Sequence, residues 1–156
     1  MKKSIQKMLL CLGAIAPATM SGQTTATTNY TVGVTIPDSS ASGIASTTVF
    51  ASSQIYQMTD VEVSLTIFGG FNGDYYAYLA HDSGFAVLLN RVGRDSGSLF
   101  GYPDAGLNVF LDDQAPDGDI HVYRSTLNPS GGTLTGTWAP DARTADQSRT
   151  PALTGD

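Results

Sequence analysis

The 156-residue chain has the length of one domain, with 41% hydrophobic and only 14% charged residues, too few charges for a charge-driven disordered chain or a helical array of Glu/Lys pairs. Net charge is −6, all three lysines fall within the first seven residues, and from residue 23 onward five arginines face fourteen acidic groups. A nucleic-acid partner is therefore not expected, because that balance repels a phosphate backbone.

Residues 1–22 read as a secretory signal peptide. Lys2, Lys3 and Lys7 form a basic start, Met8–Ala16 is a short apolar run, and small residues follow at Ala16-Pro17-Ala18 and Ser21-Gly22. Such a run is too short for a bilayer, which needs about 20 residues, but it suits an export signal. Cleavage is expected between Ala18 and Gln23. The single cysteine, Cys11, lies inside this segment, so the exported product would have no disulfide and would rely on its apolar core, a bound metal, or both. The expected location is extracellular or periplasmic, the signal having a bacterial look, with no transmembrane segment after its removal.

Residues 23–29 are a polar lead-in. Beyond it Gly, Ser and Thr are abundant, and thirteen of the chain's fourteen acids are aspartate, a residue of turns and caps. Strands are expected at Tyr30–Ile36 and Ile44–Ala51. The clearest alternation is Val61, Val63, Leu65 and Ile67 against Glu62, Ser64 and Thr66, one strand with an apolar face. Phe68–Asp74 is a turn rich in glycine. Tyr75–Ala80 and Phe85–Asn90 bracket His81-Asp82-Ser83-Gly84 as a hairpin. Leu107–Leu111, Ile120–Tyr123 and Thr133–Trp138 complete about eight short strands, and turn clusters such as Gly101-Tyr102-Pro103-Asp104 and Pro116–Asp119 separate them. The expected fold is all-β, a jelly-roll or Greek-key β-sandwich over residues 30–138. Residues 139–156 read as an irregular tail, and no closing strand is evident there.

Several of these motifs, in this order, resemble the P domain (Homo B domain) that follows the catalytic domain of subtilisin-like proprotein convertases. They are Ile36-Pro37-Asp38-Ser39 with Gly43-Ile44-Ala45-Ser46, then Thr59–Ile67, then Asn72-Gly73-Asp74-Tyr75 with Leu79 and His81-Asp82-Ser83-Gly84. Leu88–Gly93 and Phe110-Leu111-Asp112-Asp113-Gln114-Ala115 follow. The resemblance covers roughly residues 34–138. It implies a β-sandwich that packs on a serine endopeptidase domain and supports its folding, which makes the chain a secreted, proteolysis-associated module with a subtilisin-like domain or an extracellular surface as partner. The chain departs from the family pattern in two places. Gly136-Thr137-Trp138 is not followed by the family's closing strands, so the module is expected to be truncated, and only a signal peptide precedes it.

No catalytic residue is expected. A subtilisin triad needs His, Asp and Ser on a much longer chain, and neither histidine has a fitting setting: His81 is in a hairpin turn, and His121 alternates with Ile120 and Val122. Asp82-Ser83-Gly84 and Asp95-Ser96-Gly97 look like aspartic-protease loops, but Asp-Ser-Gly is also turn vocabulary, and they are read as turns. Asp112–Asp119 places four carboxylates in eight residues. It fails as an EF-hand, because Ala115 and Arg124 stand at ligand positions. A calcium site using Asp74, Asp112 and Asp113, with solvated turn aspartates as the other reading, stays open. The aromatics Tyr75, Tyr76, Tyr78, Phe85, Phe100, Tyr102 and Trp138 suggest either core packing or stacking on sugar rings. The alternative function is therefore a stand-alone calcium- or carbohydrate-binding module.

Overall fold

A computed structural model describes residues 24–38, 40, 42–49, 55, 57–82 and 84–142. The chain divides into two units, Met1–Met58 and Thr59–Asp156.

In the first unit the described residues form neither helix nor strand, and in one turn the Gly43 amide donates to Ser40 O at 3.2 Å. The alternating side chains Tyr30, Val32, Val34 and Ile36 are all exposed, and 30–36 forms no β-ladder among the described residues. Gly33 lies at φ +59°, which breaks the pleat that the alternation suggests. The described part of Ile44–Ala51 likewise forms no ladder. Phe50, Ala51 and the signal peptide fall outside the described residues.

The second unit is β-rich, with five strands among the described residues. They are β1 (Val63–Ile67), β2 (Tyr76–His81), β3 (Gly84–Asn90), β4 (Leu107–Leu111) and β5 (Leu134–Trp138). β1, β4 and β5 form one sheet in that order, and β2 and β3 form a hairpin. β1 runs antiparallel to β4, with Val63 opposite Leu111, Leu65 opposite Val109 and Ile67 opposite Leu107. Six aliphatic side chains thus share one face, while Thr66 and Asn108 pair on the other with a 3.3 Å hydrogen bond. β5 lies parallel to β4, so residues 112–133 make the crossover that a parallel pair requires.

Ile120–Tyr123 is not a strand. It belongs to a 3-10 segment, Ile120–Ser125, whose first turn is capped by the Asp119 carboxylate accepting from the His121 amide. With about three residues per turn, Ile120 and Tyr123 both point inward and are fully buried, while Val122 is exposed. Ile120, His121 and Val122 read as alternation only because a carboxylate cap is invisible to a count of apolar spacing.

The hairpin joins His81 to Gly84 through two residues and carries a bulge opposite Ala77/Tyr78. The extra residue there, Leu88, lets Val87, Leu88, Leu89 and Asn90 all be buried in succession. Leu88, Leu89 and Val92 join Leu107, Val109, Leu111, Ile120, Tyr123, Leu134 and Trp138 in one core cluster. Each such side chain stabilises the fold by about 1.5–3 kcal/mol. The first residues of the expected tail are part of this unit. The Asp141 and Ala142 amides donate to Leu88 O and Val87 O at 3.2 and 3.0 Å, where the bulge opens the edge of β3.

Candidate functional site

Asn72–Asp74, which follows β1, and residues 98–106, which precede β4, come together at one end of the three-stranded sheet. A buried asparagine holds them. The Asn72 amide donates to Asp104 O at 2.8 Å, its side-chain Nδ2 donates to the Tyr123 hydroxyl at 3.2 Å, and its Oδ1 accepts from the Gly106 amide at 3.0 Å. Gly73 donates its amide to Tyr102 O at 2.9 Å and lies against Gly101 so closely that a Cβ on Gly73 would sit 2.2 Å from Phe100 O and 2.8 Å from Gly101 Cα. Only glycine fits there. Gly73→Ala is expected to lower stability by about 1–3 kcal/mol, since backbone rather than a flexible side chain must move, and a shifted thermal midpoint would register it.

Behind this contact lies an ion pair. Asp104, fully buried, accepts from Arg124 Nε and Nη2, each at 2.7 Å, from the Tyr123 hydroxyl at 2.6 Å and from the Gly131 amide at 2.8 Å. The two-pronged guanidinium contact, assisted by these neutral donors, holds its carboxyl at about 2, below its ordinary value. Burial, and then the bond to that anion, push the Tyr123 hydroxyl well above its usual range. The Arg124 guanidinium also lies 5.1 Å from the centre of the Tyr102 ring. These groups are saturated by one another, so the cluster braces the loops and offers neither a base nor a nucleophile.

In front of the contact is an open groove of about 320 Å³ lined by Phe71, Asp74, Phe100, Gly101 and Pro103. Phe71 is 57% and Phe100 79% exposed, unusual for aromatic rings on a pinned backbone and a mark of binding surfaces. The Asp74 carboxylate has no hydrogen bond or ion pair among the described residues. Comparison with family models, curated proteins and solved structures found no match. What the groove does must therefore be argued from its own chemistry.

The residues singled out for calcium do not converge. Asp74 is in the turn whose Asn72 bonds Asp104 and Gly106, at the Leu107 end of β4, whereas Asp112 and Asp113 follow Leu111. About 13 Å of strand separates those ends at the usual rise, and no group of three or more metal-ligating side chains occurs among the described residues. Carboxylates of the acidic stretch serve the backbone instead. Asp112 Oδ1 accepts from the Gln114 amide at 2.8 Å, and Asp117 Oδ2 from the Thr137 amide at 2.7 Å. Asp95 closes a turn in the same way, accepting from Gly97 and Ser98 at 2.7 Å each.

His121 does meet a carboxylate. Its Nδ1 lies 2.7 Å from Asp141 Oδ2, a pairing that resembles half of a hydrolase triad. The other ring nitrogen, which would have to serve a nucleophile, is 3.0 Å from Arg94 O. Both residues are buried, so the pair fastens the chain rather than facing a substrate. His81 ends β2.

The aromatics divide. Trp138 is buried and donates to Thr135 O at 3.0 Å, and Tyr75 and Tyr102 are half-buried against the core. Tyr76, Tyr78 and Phe85 remain exposed on the hairpin, with successive ring centres 6.0 and 5.1 Å apart. Asp104 and Asp141 carry no sequence signal beyond turn vocabulary, Asn72 reads only as part of its turn motif, Tyr123 only as the end of an expected strand, and Arg124 only as a misfit at an EF-hand position. Among the described residues no helix is long and apolar enough to cross a membrane.

Proposed function

We propose that the chain is a secreted, non-catalytic β-module that works by recognition, using the groove between the Asn72–Asp74 turn and the Phe100–Pro103 loop. The observation that carries this reading is the pairing of two largely exposed phenylalanine rings with a backbone locked by Asn72, Gly73 and the Asp104–Arg124 pair. Such preorganisation reduces the ordering cost of binding. The export signal at residues 1–22 supports an extracellular setting. The P-domain resemblance supports a role as an accessory β-sandwich that steadies a subtilisin-like domain.

The test mixes the chain with a subtilisin-like catalytic domain that lacks a P domain of its own. Slower thermal inactivation of the protease is expected, lost with Phe71→Ala/Phe100→Ala, while the chain alone turns over no peptide or ester. Hydrolysis by the chain, abolished in a folded His121→Ala variant, would overturn the non-catalytic reading. A second reading, carbohydrate recognition, is favoured by one observation: the uncharged row of Tyr76, Tyr78 and Phe85 on the hairpin, whose rings could stack on sugars.

A further inference from the structure

Resting on that reading, we infer that the groove takes the side chain of an arginine presented by a partner polypeptide, with the guanidinium against Phe71 and Phe100 and paired with Asp74. Aromatic faces attract a cation through the ring quadrupole, best where water is partly excluded. The groove adds one unpaired carboxylate to two such rings. Two of its backbone donors are already engaged, the Asp74 amide with Phe71 O at 3.0 Å and the Gly101 amide with Ser98 O at 3.3 Å, and Pro103 has none. The Asp74 carboxylate only accepts, so a ligand group that only donates is matched to it.

Arginine fits better than lysine. Its planar guanidinium stacks on rings, presents two parallel N–H groups to a carboxylate and is more weakly hydrated than an ammonium. Arg91 does not fill the role, because its Nε donates to Gly73 O at 3.3 Å and it makes no ion pair with Asp74. Charge favours the same occupant. Beyond residue 7 the chain has no lysine, and its acids outnumber its five arginines, so a cationic segment is drawn in and an anionic one repelled.

The probe is an acetylated Gly-Gly-Arg-Gly-Gly amide, titrated into the full chain by NMR alongside its lysine and citrulline counterparts. Citrulline keeps the shape of arginine without the charge. The arginine peptide is expected to shift the resonances of Phe71, Asp74 and Phe100 in a saturable manner, to bind more tightly than the lysine peptide, and to weaken as salt is raised. Asp74→Asn should reduce affinity about tenfold and Phe100→Ala roughly three- to thirty-fold. Leu79→Ala on the hairpin should change nothing. All three side chains are exposed, so unchanged melting temperatures will separate lost contacts from lost fold. No saturable binding of the arginine peptide overturns the inference. Equal binding of the citrulline peptide at the same residues, or displacement by a neutral oligosaccharide, also overturns it but leaves a recognition groove standing. Turnover of the peptides would instead remove the non-catalytic reading.

Discussion

Asp104→Asn is expected to lower the stability of the folded chain by about 3 kcal/mol, a large part of the roughly 5–15 kcal/mol available to a domain. The carboxylate accepts two bonds from Arg124, one from Tyr123 and one from Gly131, and an amide in its place can accept only at its oxygen. Arg124 would keep its charge at a half-buried position with no anion beside it. The loss should stay toward the lower end of what breaking a buried pair costs, because the Arg124 side chain is 30% exposed and water can solvate part of it. Acid should expose the same bond in the unaltered chain. The folded-state value of Asp104 lies at about 2 against an ordinary 3.8, so its contribution is complete above 3.8 and disappears as pH falls through about 2. That shift corresponds to about 2 kcal/mol. Urea denaturation of both proteins between pH 5 and pH 2 is the check, and their stabilities should draw together toward the acid end. A gap that stays constant would show that the carboxylate's charge contributes nothing.

The same cluster marks where sequence patterns stop being informative. Period-two alternation marks β1 and β4, because an apolar face buried on one side leaves a repeating trace, and the turn letters His81-Asp82-Ser83-Gly84 mark the hairpin. β5 was visible through Leu134 and Trp138. Tyr102-Pro103-Asp104 reads as turn vocabulary, and it is irregular loop, but nothing in those letters says that the aspartate faces inward. Its partners arrive from Tyr123, Arg124 and Gly131, distant in sequence and assembled only by the crossover between the parallel strands β4 and β5. The groove was half legible. Asp74 and Phe100 stood out as chemistry-bearing residues, yet Asp74 was grouped with Asp112 and Asp113, which the antiparallel register of β1 and β4 sends to the other end of the sheet. The Gly73–Gly101 contact that creates the groove could not be read from either glycine alone, since each looks like an ordinary turn residue.

The pair His121–Asp141 should be nearly as important, and its failure should be local before it is global. Asp141 Oδ2 lies 2.7 Å from His121 Nδ1 and accepts from the Asn90 amide at 3.0 Å. His121 Nε2 faces Arg94 O, which can only accept, so a ring with hydrogens on both nitrogens satisfies both neighbours. His121→Phe keeps a ring of similar size in the core but takes the imidazole partner away from a fully buried carboxylate. About 3 kcal/mol should be lost. The chain can relieve that strain by peeling residues 141–142 away from β3, where their amides now bond Leu88 O and Val87 O. The amides of Asp141 and Ala142 should therefore exchange much faster in His121→Phe, while those of β4, in the middle of the three-stranded sheet, change less. Adding Asp141→Leu removes the buried carboxylate that has lost its imidazole, so the double variant should be more stable than His121→Phe alone. A double-mutant cycle should give a coupling of about 1–3 kcal/mol. Additive losses would mean that the two side chains are neighbours without being partners, and that residues 139–142 are held by their backbone bonds alone.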